Sequence, residues 1–275
     1  MSPYKKPPNI PINMNHPIIS EFLAKQKHPS TQQHLRALAD HAKSECEHIL
    51  ETLHIKAVVT SRTKNHDSLS TKLHSLLQSD PTFTDWLANG NPLTDYPEMG
   101  DLAGIRIGVY FPGDVAKVMK EVEARCEVKH LFGTVTGGRD VVHSGRRNLD
   151  VTKHANGPWE SSDRDGSPEY WEHYGYKSWQ VVVGWDRPPP QVKGLGYAPR
   201  VEIQIGTVVT QAWAEIQHNV IYKRPDDILS TPAMKGMIDA INGLTITTEI
   251  MLRELDRSLE MAKKEAAARE VESAG

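Results

Sequence analysis

The chain has 275 residues, enough for one large domain with a sizeable core, and its composition is that of a globular protein. A net charge of −3 with 32 basic residues argues against a broad nucleic-acid surface and leaves room for a local basic groove. Two unpaired cysteines, Cys46 and Cys126, argue against a disulfide scaffold or zinc knuckle, and no run approaches the ~20 apolar residues of a membrane span or resembles a signal peptide. A cytoplasmic location is therefore expected.

The first residues, rich in Pro and Asn, predict an extended arm over 1–30. Leu35, Leu38, Ala39, Ala42 and Cys46 then recur at three- and four-residue spacing, which predicts an amphipathic helix over 31–53. KAVVT, 56–60, reads as a strand leading into SRTKNHDSLSTKLHSLL, where Asp67 or Ser68 is placed to cap a second helix. A strand at 105–110, a helix at 114–124 and a strand at 127–132 follow. Residues 133–170 turn to Gly, Ser, Asp, Asn and His and are too long for an ordinary connection, so they read as an insertion. Strands at 179–185 and 201–205, a helix at 210–222 and a long helix from 234 complete the order, with a solvated, frayed tail. The pattern predicts an α/β or α+β domain, a mixed sheet of about five strands flanked by helices. The expected organisation is an arm over 1–30, a domain over 31–231 and a C-terminal helix with its tail over 232–275.

Two acidic strands carry the chemical signal. In EMGDLAGIRI, Asp101 precedes a strand whose Ile105, Ile107 and Val109 share one face and whose Arg106 shares the other, and Gly104 allows a tight backbone. In RVEIQIGT, Val201, Ile203 and Ile205 face a core, so Glu202 and Gln204 point together to the opposite surface. Each segment alone also reads as an ordinary polar turn or exposed sheet face. Together, two carboxylates suit Mg²⁺, and Glu202 is a second ligand or the base for an attacking hydroxyl. Arg62, Lys64, Ser68 and Lys72 converge at a strand-to-helix junction suited to a triphosphate. The helix TQAWAEIQHNVIYKR puts Val209, Trp213, Ile216 and Val220 on one face and Gln211, Glu215, His218 and Tyr222 on the other, with Lys223 and Arg224 beyond. In HYGYKSWQ, Tyr176 projects beside Ser178 and Gln180, where it can pack locally or stack on a purine.

In order, these segments resemble the synthetase domain of the RelA/SpoT family, a nucleotidyltransferase-like fold whose members move the β,γ-pyrophosphate of ATP onto the 3'-hydroxyl of GDP or GTP. SRTKNHDSLSTK is similar to R-x-K-x-x-x-S-x-x-x-K, which implies that Arg62 clamps adenine while Lys64, Ser68 and Lys72 contact phosphates. DLAGIRI resembles D-[IL]-A-G-[IV]-R-[IV], implying Asp101 as a Mg²⁺ ligand and Arg106 near the phosphates. GYKSWQ resembles G-Y-x-S-L-H, implying Tyr176 stacked on the acceptor base. RVEIQIGT resembles V-E-I-Q-I-R-T, implying Glu202 as partner of Asp101 and as base, with Gln204 in the site. AWAEIQHNVIYK resembles A-W-A-x-[IL]-E-H-x-[IL]-x-Y-K, bringing in Glu215, His218 and Lys223.

The acceptor side departs from the pattern. Glu172, Tyr174, Gln180 and Gly206 stand where the family has Lys, Asn, His and Arg. Arg146, Arg147, Lys153 and Arg164 of the insertion are available to restore the charge. The resemblance implies Mg²⁺, ATP as donor, a purine nucleotide acceptor led by GDP or GTP, and compatibility with a homo-oligomer. An adenosine nucleotide, an RNA 3' end, or a non-catalytic nucleotide-binding regulator remain the alternatives.

Overall fold

A computed structural model describes residues 16–132, 161–162, 168–169, 178–184, 192, 195–217 and 231–274. Helices α1 (Pro17–Lys27) and α2 (Pro29–Thr52) precede strand β1 (Ala57–Thr63), which leads into α3 (His66–Ser79) and α4 (Pro81–Ala88). Two 3₁₀ turns, Leu93–Asp95 and Pro97–Asp101, connect to β2 (Ala103–Val109), α5 (Pro112–Arg125) and β3 (Glu127–Phe132). β4 (Trp179–Gly184), β5 (Arg200–Thr207), α6 (Val208–Gln217) and α7 (Pro232–Ala274) complete the fold. Ser161–Ser162 and Pro168–Glu169 pair as a small separate ribbon.

The main sheet runs β1-β2-β5-β4-β3. β2 and β5 are parallel at its centre, and the other pairings are antiparallel. This is the mixed five-stranded sheet with flanking helices that the hydrophobic pattern predicts. One face is apolar: Ile105, Ile107 and Val109 of β2 and Val201, Ile203 and Ile205 of β5 are fully buried. Leu35, Leu38, Ala42 and Ile49 of α2 and Val118 and Val122 of α5 belong to the same core cluster. Burying each Leu, Ile or Val side chain among these contributes roughly 1.5–3 kcal/mol. The opposite face carries Thr60, Arg62, Arg106, Glu202, Gln204 and Gln180 with glycines between them, and this is where the site forms.

Several local expectations are corrected. Residues 17–27 are helical where an extended arm over 1–30 is expected, because Pro17 supplies a helix-ready φ at the first turn and Ile19 finds the core. Asn65, not Asp67 or Ser68, caps α3: its side chain accepts from the backbone N–H groups of Asp67 and Ser68. β1 runs to Thr63, so Arg62 lies within the strand rather than beyond its end. The short helix α4, capped by Asp80, has too few turns to show a period. Helix α7 continues regularly to Ala274 rather than fraying over its last residues.

Candidate active site

Strand register builds the site. Arg62 of β1 lies opposite Gly104 of β2, and Gly104 lies opposite Glu202 of β5. Two residues along, Thr60, Arg106, Gln204 and Gln180 form a second row on the same face. Arg62 and Glu202 are thus two strands apart, roughly 10 Å at the ordinary strand spacing. The guanidinium crosses over β2, and its Nη2 donates to Glu202 Oε2 at 3.3 Å. Gly104 makes this passage: a Cβ there would stand 3.3 Å from Arg62 Nε and 3.5 Å from its Cγ.

Asp101 reaches the same face from the 3₁₀ turn Pro97–Asp101. Met99 is buried, and a Cβ on Gly100 would lie 2.5 Å from Val182 Cγ2, so the turn sits hard against β4. The Lys64 backbone N–H donates to the Leu102 carbonyl at 2.9 Å, tying the end of β1 to this turn. Lys64 Nζ then donates to Asp101 Oδ2. From α3, Lys72 Nζ donates to Asp101 Oδ1 at 3.2 Å and to the Glu98 carbonyl, with the Glu98 carboxylate 3.8 Å away. Glu98 is a member of this cluster that sequence reading missed, because a backbone carbonyl leaves no mark on residue type.

A second chain of contacts crosses the other row. Gln204 Nε2 donates to Glu202 Oε2 at 2.9 Å, while its Oε1 accepts from Arg106 Nε at 3.2 Å. Arg106 Nη1 donates to Glu215 Oε2 of α6 at 2.7 Å. α6 is held by Gln211, whose Nε2 donates to the Ile107 carbonyl at 2.8 Å, and by Trp213, which is buried. Ile216, expected on the core side of this helix, is 44 % exposed. Thr210 takes an inward position instead, bonded to Thr207 at the β5–α6 junction.

The two carboxylates are desolvated, with side-chain exposures of 12 % for Asp101 and 13 % for Glu202. Their titration diverges. Burial pushes Asp101 upward, but Lys72 and Lys64 outweigh it and hold the carboxyl below the usual range. At Glu202 burial wins, reinforced by the charge of Asp101 and opposed by Arg62, Lys72 and Lys64, so its carboxyl is raised. The nearby cations therefore do not govern Glu202. Burial also lowers Lys64, although Asp101 opposes the shift.

The structure thus brings together Arg62, Lys64, Lys72, Asp101, Arg106, Glu202, Gln204 and Glu215. Ser68 is exposed on the first turn of α3, and the bonds in this network do not use its hydroxyl. Tyr176, His218 and Lys223 lie outside the described residues, as do Glu172, Tyr174 and the basic residues of the 133–170 insertion. Of the acceptor-side departures, Gln180 donates to Ser178 Oγ at 3.1 Å. A Cβ on Gly206 would meet Thr210 Oγ1 at 3.2 Å, so glycine suits the close approach of α6 there.

The profile of a "region found in RelA / SpoT proteins" matches residues 61–227, which contain this whole network. The chain belongs to the RelA/SpoT family. The fold of this family member is similar to that of small alarmone synthetase 1 from Bacillus subtilis, with a TM-score of 0.52 at 19 % identity over 88 % of this chain and 97 % of that one. A GTP pyrophosphokinase family protein from Streptococcus pneumoniae gives a TM-score of 0.55 at 18 % identity over 88 % and 95 % of the two chains. At such identities the likeness is one of fold. No match is found among curated protein sequences. Among the described residues, no helix is long and apolar enough to cross a membrane.

Proposed function

We propose that this RelA/SpoT-family chain is a magnesium-dependent pyrophosphokinase that transfers the β,γ-pyrophosphate of ATP to the ribose 3'-hydroxyl of GDP or GTP and releases AMP. The observation that carries the reading is the largely desolvated pair Asp101 and Glu202, 12 % and 13 % exposed at the side chain and ringed by Arg62, Lys64 and Lys72. A desolvated carboxylate pair needs cations, and a triphosphate needs the same cations. The site therefore suits a ligand that brings anionic phosphates together with a metal of its own.

The donor set fits Mg²⁺. Among the described residues no group of three or more His, Cys, Asp or Glu side chains is arranged to hold a metal. Mg²⁺, however, is commonly held by one or two carboxylates, with water and substrate phosphates completing its shell. Asp101 and Glu202 supply those carboxylates, and the ammonium groups on both Asp101 oxygens mark where positive charge is stabilised. Bound there, the ion would offset charge on the transferring phosphates.

The chain's own groups have distinct tasks. Lys64 and Lys72 turn from Asp101 to the outer phosphates, and the N-terminus of α3 adds its dipole. Arg62, 43 % exposed at the side chain, is free on its outer face to hold the adenine while its edge keeps Glu202. Asp101 stays ionised because its carboxyl is held low. Glu202, raised by burial, is the better proton acceptor of the two. It takes the proton as the 3'-oxygen bonds to the β-phosphorus and the bond from that phosphorus to the α–β bridging oxygen breaks, AMP leaving with that electron pair.

Asp101→Ala and Glu202→Ala are each expected to abolish AMP release from ATP plus acceptor, with CD spectra like wild type. Full activity in either variant would sink the assignment. Gln180 and Gly206 favour one second reading, the same transfer to a different acceptor such as an adenosine nucleotide or an RNA 3' end. Incubating labelled ATP with a panel of acceptors and identifying products by mass separates the two.

A further inference from the structure

We propose that Glu215 is a positioning residue, which acts through Arg106 and Gln204 to set which end of the Gln204 amide faces Glu202. The inference rests on the reading of Glu202 as the proton acceptor, and goes beyond it by assigning work to a side chain on another element.

The argument is one of donors and acceptors. An amide side chain offers NH₂ at one end and a carbonyl oxygen at the other, and the two ends differ little in shape. A guanidinium has only donors. Arg106 beside Gln204 therefore demands the oxygen, and Gln204 Oε1 accepts from its Nε at 3.2 Å. The NH₂ is then turned toward Glu202 Oε2, 2.9 Å away. Were the amide reversed, a carbonyl oxygen would press against the carboxylate.

Arg106 is itself held by Glu215 at 2.7 Å, from a helix fixed through Gln211 and Trp213. Its side chain is 33 % exposed, so without that anchor the guanidinium has solvent to swing into. Glu202 receives Arg62 and Gln204 on the same oxygen, Oε2. Both donors on one oxygen turn the carboxylate to a single orientation. Its Oε1 accepts no bond from the described residues and points the reactive lone pairs elsewhere. Gln204 supplies one of the two fixed points of that orientation, and Glu215 secures it at second hand.

The test compares Glu215→Ala with Glu215→Gln in the full-length protein. Gln keeps an oxygen acceptor for Arg106 and removes only the charge. We expect Glu215→Ala to lower kcat about 10–100-fold, the range seen for outer-shell partners of a site carboxylate, while KM for ATP changes less than about threefold. Glu215→Gln should restore kcat to within about threefold of wild type. With ¹⁵N-labelled glutamine, the Gln204 side-chain NH₂ resonance should move in Glu215→Ala and stay in Glu215→Gln.

A Glu215→Ala enzyme with wild-type kcat overturns the proposal. So does a change in KM alone, which would mark Glu215 or Arg106 as a ligand contact. If wild type itself transfers nothing to any acceptor, the functional reading fails on its own. The amide resonance then still decides this inference, and an unmoved signal in Glu215→Ala overturns it.

Discussion

Gly104 shows how much of the site depends on an atom that is missing. Every side chain flanking it on the polar face is charged or polar, yet the row Arg62–Gly104–Glu202 works only because its middle member has no Cβ. A β-branched residue favours strand geometry, so Gly104→Val should keep the sheet while filling the trough. It is expected to displace Arg62 from Glu202 and to lower pyrophosphate transfer at least about tenfold. The loss should appear with a wild-type CD spectrum; unchanged kinetics would show that the Arg62–Glu202 contact is dispensable. The same crowding explains the split between the two carboxylates. Asp101 bonds two lysines directly, whereas Glu202 bonds one guanidinium, stands farther from the lysines and feels the charge of Asp101, so burial prevails only at Glu202.

At the scale of elements, the long amphipathic α2 and the strands were legible because burial imposes a period on them. Ile105, Ile107 and Val109 alternate with Arg106 and Gly108 as strand geometry requires, although Gly104 and Gly108 are buried as well. The meeting of Asp101 and Glu202 with the basic segment was legible as well, because charged side chains drawn from water need opposite partners. Less legible were features built from space or backbone: the Gly104 trough, the Glu98 carbonyl, and the pairing of Glu215 with Arg106 across more than a hundred positions. Helix α4 was missed because its eight residues carry a single apolar repeat, Phe83 to Leu87, beside a polar knot. There Asp80 caps the helix through the Thr82 backbone N–H at 2.9 Å and accepts from the Tyr96 hydroxyl, whose ring packs edge-on to Phe83 and Trp86. Burial works to raise Asp80, but bonds from Tyr96 and Thr82 overcome it and hold the carboxyl low. A depressed folded-state pKa gives stability that is present above the unfolded value, near 4, and is lost as pH falls through the folded value. The melting-temperature gap between wild type and Asp80→Asn should therefore be open at pH 7 and close on acidification below about pH 4. A gap that stays constant with pH would remove Asp80 ionisation from the fold's stability.

Across the whole molecule, α7 is the element least explained by the site. Its inward positions Ile238, Asn242, Thr245, Glu249, Leu252 and Asp256 follow alternating four- and three-residue steps. Only the first of them is an apolar anchor buried outright. Glu249 accepts from Thr207 at the β5–α6 junction, and Asp256 packs so close to Gly113 that a Cβ there would stand 2.7 Å from its Oδ2. Outward, Met237, Leu244, Met251 and Leu255 are all about half exposed or more. Beyond Asp256, residues 257–269 are exposed throughout, a stretch roughly 20 Å long at 1.5 Å per residue. An isolated helix of that length is marginal in water and gains little from propensity alone. Attachment therefore resides in α7 up to Asp256. A chain ending at Met261 should melt within about 2 °C of the full chain, whereas one ending at Thr247 loses the Glu249 and Asp256 contacts. At about 2–4 °C per kcal/mol for a domain of this size, the shorter chain should melt at least about 4 °C lower. Equal melting temperatures would relocate the anchor of α7 to its first turns, and a large loss on removing 262–275 would place it in the exposed end of the helix.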